Sequence, residues 1–239
     1  MNKLLQQALE AHGGLDKWNS FDKISATIVS GGELWPSKGI HVDTSPRRIT
    51  ADTRRQRTTV SPYGAPDFVM TFVPERIVIE NGKGETIAER ADPRAAFEGH
   101  AVDTPWDPLH RAYFSGYALW SYLASPFLLA MPGVEVEEIA PWTEGQEQWR
   151  VLRATFPASF AGHSPVQEFY FGPDFLLRRH DYQVDVSGSF LAAQYVHDMV
   201  EAGGIIFPSK RRAYSRKADL QPDTDRLLVW IDLENFQFS

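Results

Sequence analysis

The chain has 239 residues, of which 43% are hydrophobic and 23% charged, a composition typical of a folded globular protein. Its net charge of −7 argues against a general nucleic-acid binder, because such a protein needs a basic face to displace counterions from phosphates. The sequence contains no cysteine, which excludes disulfides, thiolate metal ligands and cysteine nucleophiles. We expect a single domain over residues 1–239 and no nucleic-acid partner.

The N-terminal segment predicts an amphipathic helix. Apolar residues recur at helical spacing over residues 2–12, and Gly13 and Gly14 supply a stop. The segment carries Gln and Glu inside its apolar pattern and has no small-residue cleavage site, so we do not interpret it as a signal peptide. No apolar run reaches transmembrane length. These features predict a cytoplasmic location and no stable membrane insertion.

Strand patterns follow this helix. They cover residues 24–28, 39–44, 47–54, 56–61 and 68–73, with proline and glycine between them. The sharpest local signal is Asn81-Gly82 between two short apolar runs, which predicts a β-hairpin. Residues 90–106 are predicted to form a long loop, and strand patterns resume from residue 134 to residue 238.

One long helix interrupts the strands. Asp107 is a good N-cap, Pro108 suits the first helical position, and Pro126 limits how far the helix can run. The segment is apolar almost all the way round, which indicates a buried helix. Its only polar edge, predicted to face solvent, consists of Arg111, Ser115 and Tyr122.

The fold class follows from one buried helix in a chain whose strands are joined by short turns. We expect a mainly β protein, an α+β arrangement in which a strongly curved antiparallel sheet forms an incomplete β-barrel. The N-terminal helix and the central helix would cover its concave face. A closed barrel of the lipocalin type is the alternative, but it leaves no natural place for the central helix.

Two neighbouring strands carry the candidate catalytic residues. His180 and Tyr182 alternate on one strand, Tyr195 and His197 on the next, and antiparallel pairing through a turn near Gly188 would bring them together. All four are predicted to point inward. The opposite faces, with Arg179, Asp181 and Gln194, are predicted to form a wet exterior.

Buried imidazoles and phenols need partners, so three interpretations remain open. The four residues form a satisfied core network, a set that orients a ligand, or an acid–base site. A metal site at His180 and His197 lacks an identifiable third ligand, and we predict no metal and no cofactor.

Further residues are candidates for contact with a ligand. Those predicted to bind it are His110, Tyr113, Phe114, Tyr117, Trp120 and Arg178. Basic runs around Arg47 and Arg211 are interpreted as solvated faces, with a dedicated anionic site as the alternative. Of Lys210 and Arg211, one must point inward.

Five segments of the sequence carry a resemblance. They are AHGGLDKW (residues 11–18), LHRAYFSGYALWSYLASPFLL (109–129), FYFGPDFLLRRHDYQVDV (169–186), GIIFPSKRRAY (204–214) and LVWIDLENFQF (228–238). The chain resembles a group of uncharacterised bacterial proteins related to the LolA-like superfamily, which includes lipoprotein-localisation carriers and mycobacterial lipid-carrier lipoproteins. This resemblance implies a half-barrel whose concave face is covered by helices, with a hydrophobic cavity between. Unlike those carriers, the sequence shows no export signal and no lipid-attachment cysteine.

Two functional hypotheses follow. The first is binding of a hydrophobic or amphipathic small molecule between the sheet and the central helix. The second is a cofactor-independent enzyme acting on such a molecule, with a histidine as acid or base and a tyrosine orienting it; a violacein-biosynthesis enzyme similar in fold to the carriers works without cofactor or metal. Histidines and tyrosines bonded only to one another would favour binding, and an unpaired histidine pointing into a pocket would favour catalysis. The sequence leaves the oligomeric state open.

Overall fold

The computed structural model describes residues 2–239, which form a sheet of thirteen strands with four α-helices. The helices are α1 (Lys3–Ala11), α2 (Leu15–Asn19), α3 (Leu34–Ser37) and α4 (Pro108–Ala124). The strands are β1 (Lys23–Gly31), β2 (Arg47–Asp52), β3 (Thr58–Ser61), β4 (Val69–Val73), β5 (Arg76–Glu80), β6 (Thr86–Ala91), β7 (Glu135–Glu144), β8 (Glu147–Thr155), β9 (Val166–Phe171), β10 (Leu177–Val184), β11 (Phe190–Ala202), β12 (Ile205–Arg216) and β13 (Pro222–Phe238). Short 3-10 helices span Ala95–Phe97, Phe127–Ala130 and Asp185–Ser187.

The sheet consists of two antiparallel meanders joined at their inner strands. Strands β1 to β6 follow one another across one half, and β7 to β13 cross the other half in the same way. The two halves meet where β1 pairs with β13. Helix α4 carries the chain from the outer edge at β6 to the opposite edge at β7, and these two edges do not pair with each other.

The sheet curves around α4. Thr58 on β3 donates a hydrogen bond to the carbonyl of Gly116 in α4, while Tyr122 in the same helix contacts Tyr182 on β10 through their hydroxyls. Five strands lie between β3 and β10, so a flat sheet would hold them roughly 29 Å apart. One helix can contact both only if the sheet wraps around it. The predicted class, an incomplete antiparallel barrel covered by helices, is confirmed.

Helix α4 begins and ends as its sequence predicts. Asp107 accepts a hydrogen bond from the backbone N–H of His110 at 2.7 Å, and the His110 ring accepts one from the Asp107 N–H at 3.2 Å, which completes a capping box. The helix ends at Ala124, before Pro126. Gly116 allows it to approach β4 closely, because a Cβ at this position would collide with the side chain of Phe72.

The other local predictions are mostly confirmed. The N-terminal helix is α1, and the predicted hairpin is formed by β5 and β6. Residues 39–44 were predicted to form a strand, which is wrong: the chain turns through α3 and through Gly39 at φ +71° before it enters β2. Among residues 2–239, no helix combines the length and apolar character needed to cross a bilayer.

Candidate functional site

An apolar groove lies between α4 and the concave face of the sheet. Its walls combine one face of α4 with inner side chains of β1, β2, β3, β10, β11, β12 and β13, and Leu34 and Trp35 of α3 complete them. The empty space between its walls, open mouth included, is about 740 Å³, of which only a small part is wide enough for a water molecule. The groove is therefore narrow.

The helical wall of the groove is the polar edge of α4. Arg111, Ser115, Ala118 and Tyr122 recur at helical spacing and line the groove together with Phe114. The prediction that this edge faces solvent was wrong, since Tyr122 is only 5% exposed. The other face of α4 packs against β2 to β6, so the helix is enclosed on both sides.

A chain of hydrogen bonds with a fixed direction lies behind the groove. Arg211 donates to Gln194 Oε1 at 2.8 Å, which leaves the Gln194 amide NH₂ to donate to the Tyr182 hydroxyl at 3.3 Å. The Tyr182 hydroxyl then donates to Tyr122 at 3.0 Å, and Tyr122 donates to His163 Nε2 at 2.8 Å. This direction gives every donor in the chain an acceptor, whereas the reverse direction from His163 would leave the Tyr182 hydroxyl proton without one.

This chain ends on a neutral histidine. His163 accepts at Nε2, so its proton sits on Nδ1, 3.4 Å from the hydroxyl of Tyr117. The ring stacks on Tyr182 with centroids 3.8 Å apart. Burial lowers the pKa of His163 to about 3 and raises the pKa of Tyr182 well above its usual value. Neither group changes its charge near neutral pH.

His180 lies inside the fold, as predicted, but apart from the groove. Its Nε2 donates to Gln167 Oε1 at 2.7 Å, and its ring stacks on Phe169 at 4.2 Å between centroids. The Nδ1 atom is buried and has no hydrogen-bond partner among residues 2–239. Burial lowers the pKa of His180 well below its usual value. Since His180 does not line the groove, its lone pair is out of reach of a bound molecule.

Two of the four candidate catalytic residues lie on the outer face of the sheet. Strands β10 and β11 pair as predicted, but the register places Gln194 opposite His180, and Tyr195 opposite Arg179. Tyr195 and His197 therefore point away from the groove, and His197 is exposed. The inward prediction was wrong because it placed Gln194 outside, and an error of one residue moves every side chain of a strand to the other face.

The outer face at this point is not the predicted wet exterior. Arg179 and Asp181 are 0% and 1% exposed and form an ion pair at 2.6 Å. The guanidinium of Arg179 also lies about 5 Å from the ring centroids of Trp142, Tyr170 and Tyr195. We call these five residues the outer cluster. The Tyr195 hydroxyl accepts a hydrogen bond from Arg179 at 3.0 Å and donates one to Glu144 at 3.2 Å, so its place in this cluster accounts for its partial burial.

The predicted ligand-binding residues divide in the same way. Phe114 lines the groove. Tyr113 packs between Phe72 and Tyr117 on the enclosed side of α4, and the Trp120 Nε1–H donates to the carbonyl of Asp52. His110 belongs to the helix cap. Arg178 forms an ion pair with Asp174 at 2.6 Å and, like these residues, does not line the groove.

Three residues of the site were missed or misread in the sequence. His163 lies in the loop between β8 and β9, where no periodicity marks it. Arg47 shares the inner face of β2 with Ile49 and Ala51, and this two-residue alternation was the signal that could have placed it in the groove. One of Lys210 and Arg211 was predicted to point inward. That residue is Arg211, which is 1% exposed.

Among residues 2–239, no group of three or more His, Asp or Glu side chains is placed to hold a metal ion. No protein-family model matches the chain, and no curated protein sequence matches it. Solved structures do match over nearly the whole length. A DUF1329 family protein from Desulfovibrio piger is 10% identical with a TM-score of 0.57, and the match covers 100% of this chain and 94% of that one.

Two further structures place the fold more narrowly. A LolA superfamily protein from Nitrosomonas europaea is 9% identical with a TM-score of 0.52, and the match covers 98% of this chain and 93% of that one. A domain from Vibrio parahaemolyticus named for outer membrane lipoprotein sorting is 7% identical with a TM-score of 0.55, covering 99% of this chain and 91% of that one. The fold is therefore LolA-like, which confirms the resemblance at the level of architecture.

Proposed function

We propose that this protein binds a hydrophobic or amphipathic small molecule in the groove between α4 and the sheet. The observation that carries the proposal is the groove itself, whose walls are mainly apolar. A pocket with apolar walls and few polar groups is the usual form of a small-molecule site. One structure of similar fold is named for lipoprotein sorting, which agrees with an apolar ligand but does not identify it.

Binding is better supported than catalysis. The groove presents Tyr122 and Tyr182, and both hydroxyls are engaged in the chain of hydrogen bonds that ends at His163. An acid–base catalyst needs a pKa near the working pH, whereas burial moves the pKa of His163 and of both tyrosines away from neutrality. The unpartnered nitrogen of His180 faces protein and not the groove.

A neutral fluorescent probe tests the proposal. N-phenyl-1-naphthylamine should bind the protein saturably, and Ser115→Phe should weaken binding by about tenfold or more, since its ring fills the groove from the helical wall. Ala140→Phe adds the same ring at an exposed position on β7 and should leave binding unchanged. Binding that is absent in the natural protein, or equal in the two variants, would contradict the proposal. Native mass spectrometry of freshly purified protein would identify a retained ligand.

A further inference from the structure

Two arginines stand at the mouth of the groove. Arg47, on the inner face of β2, and Arg111, in the first turns of α4, both line the groove and also a polar recess next to it. The recess adds His41, Asp43 and Thr44 to its wall. The apolar groove and the polar recess thus meet at two guanidinium groups, which is the arrangement that an amphipathic molecule with a charged end requires.

The hydrogen-bonding capacity of Arg47 is largely unused. The side chain is buried, with 8% of its surface exposed, and in the part of the chain that the structure describes its one side-chain partner is the Ser30 hydroxyl at 2.7 Å. Its Nε is buried and has no hydrogen-bond partner among residues 2–239. A buried guanidinium with a single neutral acceptor is costly, so a ligand that supplies a charged acceptor gains the most at this position.

Arg111 is held but not neutralised. Its guanidinium lies over the rings of Trp35 and Tyr63, at 5.4 and 5.8 Å from their centroids. No carboxylate of residues 2–239 forms an ion pair with Arg111 or with Arg47. Stacking fixes the plane of the guanidinium and leaves its N–H groups directed outward from the rings.

One carboxylate faces the same recess. Asp43 accepts a hydrogen bond from the backbone N–H of Ser45 at 2.8 Å. That bond, with Arg47 and Arg111 nearby, keeps the pKa of Asp43 below its usual value, so the group is ionised. Two positive groups against one negative group leave the mouth of the groove positive, although the whole chain carries a net charge of −7.

We propose that the ligand is an anionic amphiphile, whose carboxylate or phosphate is bound by Arg47 and Arg111 while its apolar part lies in the groove. The proposal rests on the proposed function, because it needs the groove to accept the apolar part. A planar guanidinium matches either acid in geometry, and the charge-assisted bonds are the strong kind. The Tyr122 and Tyr182 hydroxyls, already engaged with each other, face the apolar part.

The experiment compares three amphiphiles that share a twelve-carbon tail and differ only in the head group. Dodecanoate, dodecyl phosphate and 1-dodecanol would displace N-phenyl-1-naphthylamine from the natural protein and from Arg47→Gln and Arg111→Gln. Each substitution should weaken the binding of the two anions by about tenfold and the binding of 1-dodecanol by less than about twofold. The matched control is Arg48→Gln, which removes the neighbouring charge from the outer face of β2, where Arg48 contacts Gln237, and should change nothing.

The outcomes separate the two proposals. If the probe does not bind, the groove is not a ligand site and both proposals fail. If the three amphiphiles bind but the substitutions weaken them equally, the arginines only support the groove and the anion site is rejected. Inorganic phosphate at millimolar concentration should not bind. If it does bind, the ligand of the two arginines is a free anion and the amphiphile proposal is rejected. Arg111→Gln, at a partly exposed position, provides the answer if Arg47→Gln does not fold.

Discussion

At the scale of single residues, Arg211 shows how a charge is accommodated in the interior. Its guanidinium donates to Gln194 and to the carbonyl of Tyr122, and it lies 4.8 Å from the centroid of the Tyr122 ring. Burial lowers its pKa to about 10, which still leaves it charged at neutral pH. The charge fixes the orientation of the Gln194 amide, and the direction that gives every donor from Gln194 to His163 an acceptor places the His163 proton on Nδ1.

A second buried arginine provides a prediction at this scale. Arg179→Ala should destabilise the protein by about 3 kcal/mol, because it removes the two-bond partner of the buried Asp181, which keeps only Arg216 at 2.9 Å and the Tyr170 hydroxyl at 3.2 Å. Arg178→Ala, one residue earlier, breaks a partly exposed ion pair with Asp174 and should cost less than about 1 kcal/mol. Urea unfolding of the two variants measures the difference. Equal losses would mean that the outer cluster is not held together by its ion pair.

At the scale of elements, two faces of α4 differ in how closely they are packed. The wall toward β2 to β6 is close-packed, and Gly116 sets the distance between helix and sheet. The face toward the groove does not fill the space between the helix and the sheet. One helix therefore anchors half of the sheet and lines a cavity against the other half, and the cavity keeps its width only while the anchored side stays in place.

A double-mutant cycle tests this anchoring. Gly116→Ala raises helix propensity by up to about 1 kcal/mol, yet the added methyl group meets Phe72, and we expect a net loss of about 1–3 kcal/mol. In a Phe72→Ala background the same substitution should cost less, because alanine lacks the Cγ and Cδ2 atoms that the methyl group meets and keeps only the Cβ. Free energies of unfolding from urea titrations give the coupling. Additive effects would mean that the helix does not rest on Phe72.

Sequence periodicity predicted elements better than faces. The cap at Asp107 and the hairpin at Asn81 depend on local chemistry, and both were predicted correctly. Whether Tyr195 or Gln194 points inward depends on Arg211, a residue on another strand, so β11 alone could not decide it. Arg111 was assigned to a solvent-facing edge of α4, but the structure places it, partly exposed, on the wall of the groove. The wrong face assigned to β11 removed Tyr195 and His197, half of the candidate catalytic residues, from the interior.

At the scale of the whole molecule, buried neutral histidines make stability depend on pH. Burial lowers the pKa of His12 to about 4 and that of His163 to about 3, whereas in the unfolded chain each stays near about 6.5. Below that value the unfolded state binds protons that the folded state does not. Stability is therefore fully present above about pH 6.5 and is lost as the pH falls toward the folded values.

This loss can be measured. Between about pH 6 and pH 5, each of the two histidines should remove about 1.4 kcal/mol of stability per pH unit. His12 has both ring nitrogens engaged in its neutral form, with Ala8 and with Leu177, so it cannot accept a proton without losing a bond. Urea midpoints at several pH values should fall less steeply for His163→Gln than for the natural protein. The exposed control His41→Gln should keep the full slope, and a flat profile in the natural protein would contradict the assignment.

The junction of β1 with β13 has a consequence for how the chain is made. Each meander forms from neighbours in sequence, but the junction pairs Ile24 with Phe238, and closing so long a loop is slow. On the ribosome β1 is made long before β13, so one edge of β1 stays open while the strands between them are synthesised. An open edge readily pairs with another chain. The nascent protein is then most prone to aggregation at a strand that the folded molecule places in the middle of its sheet.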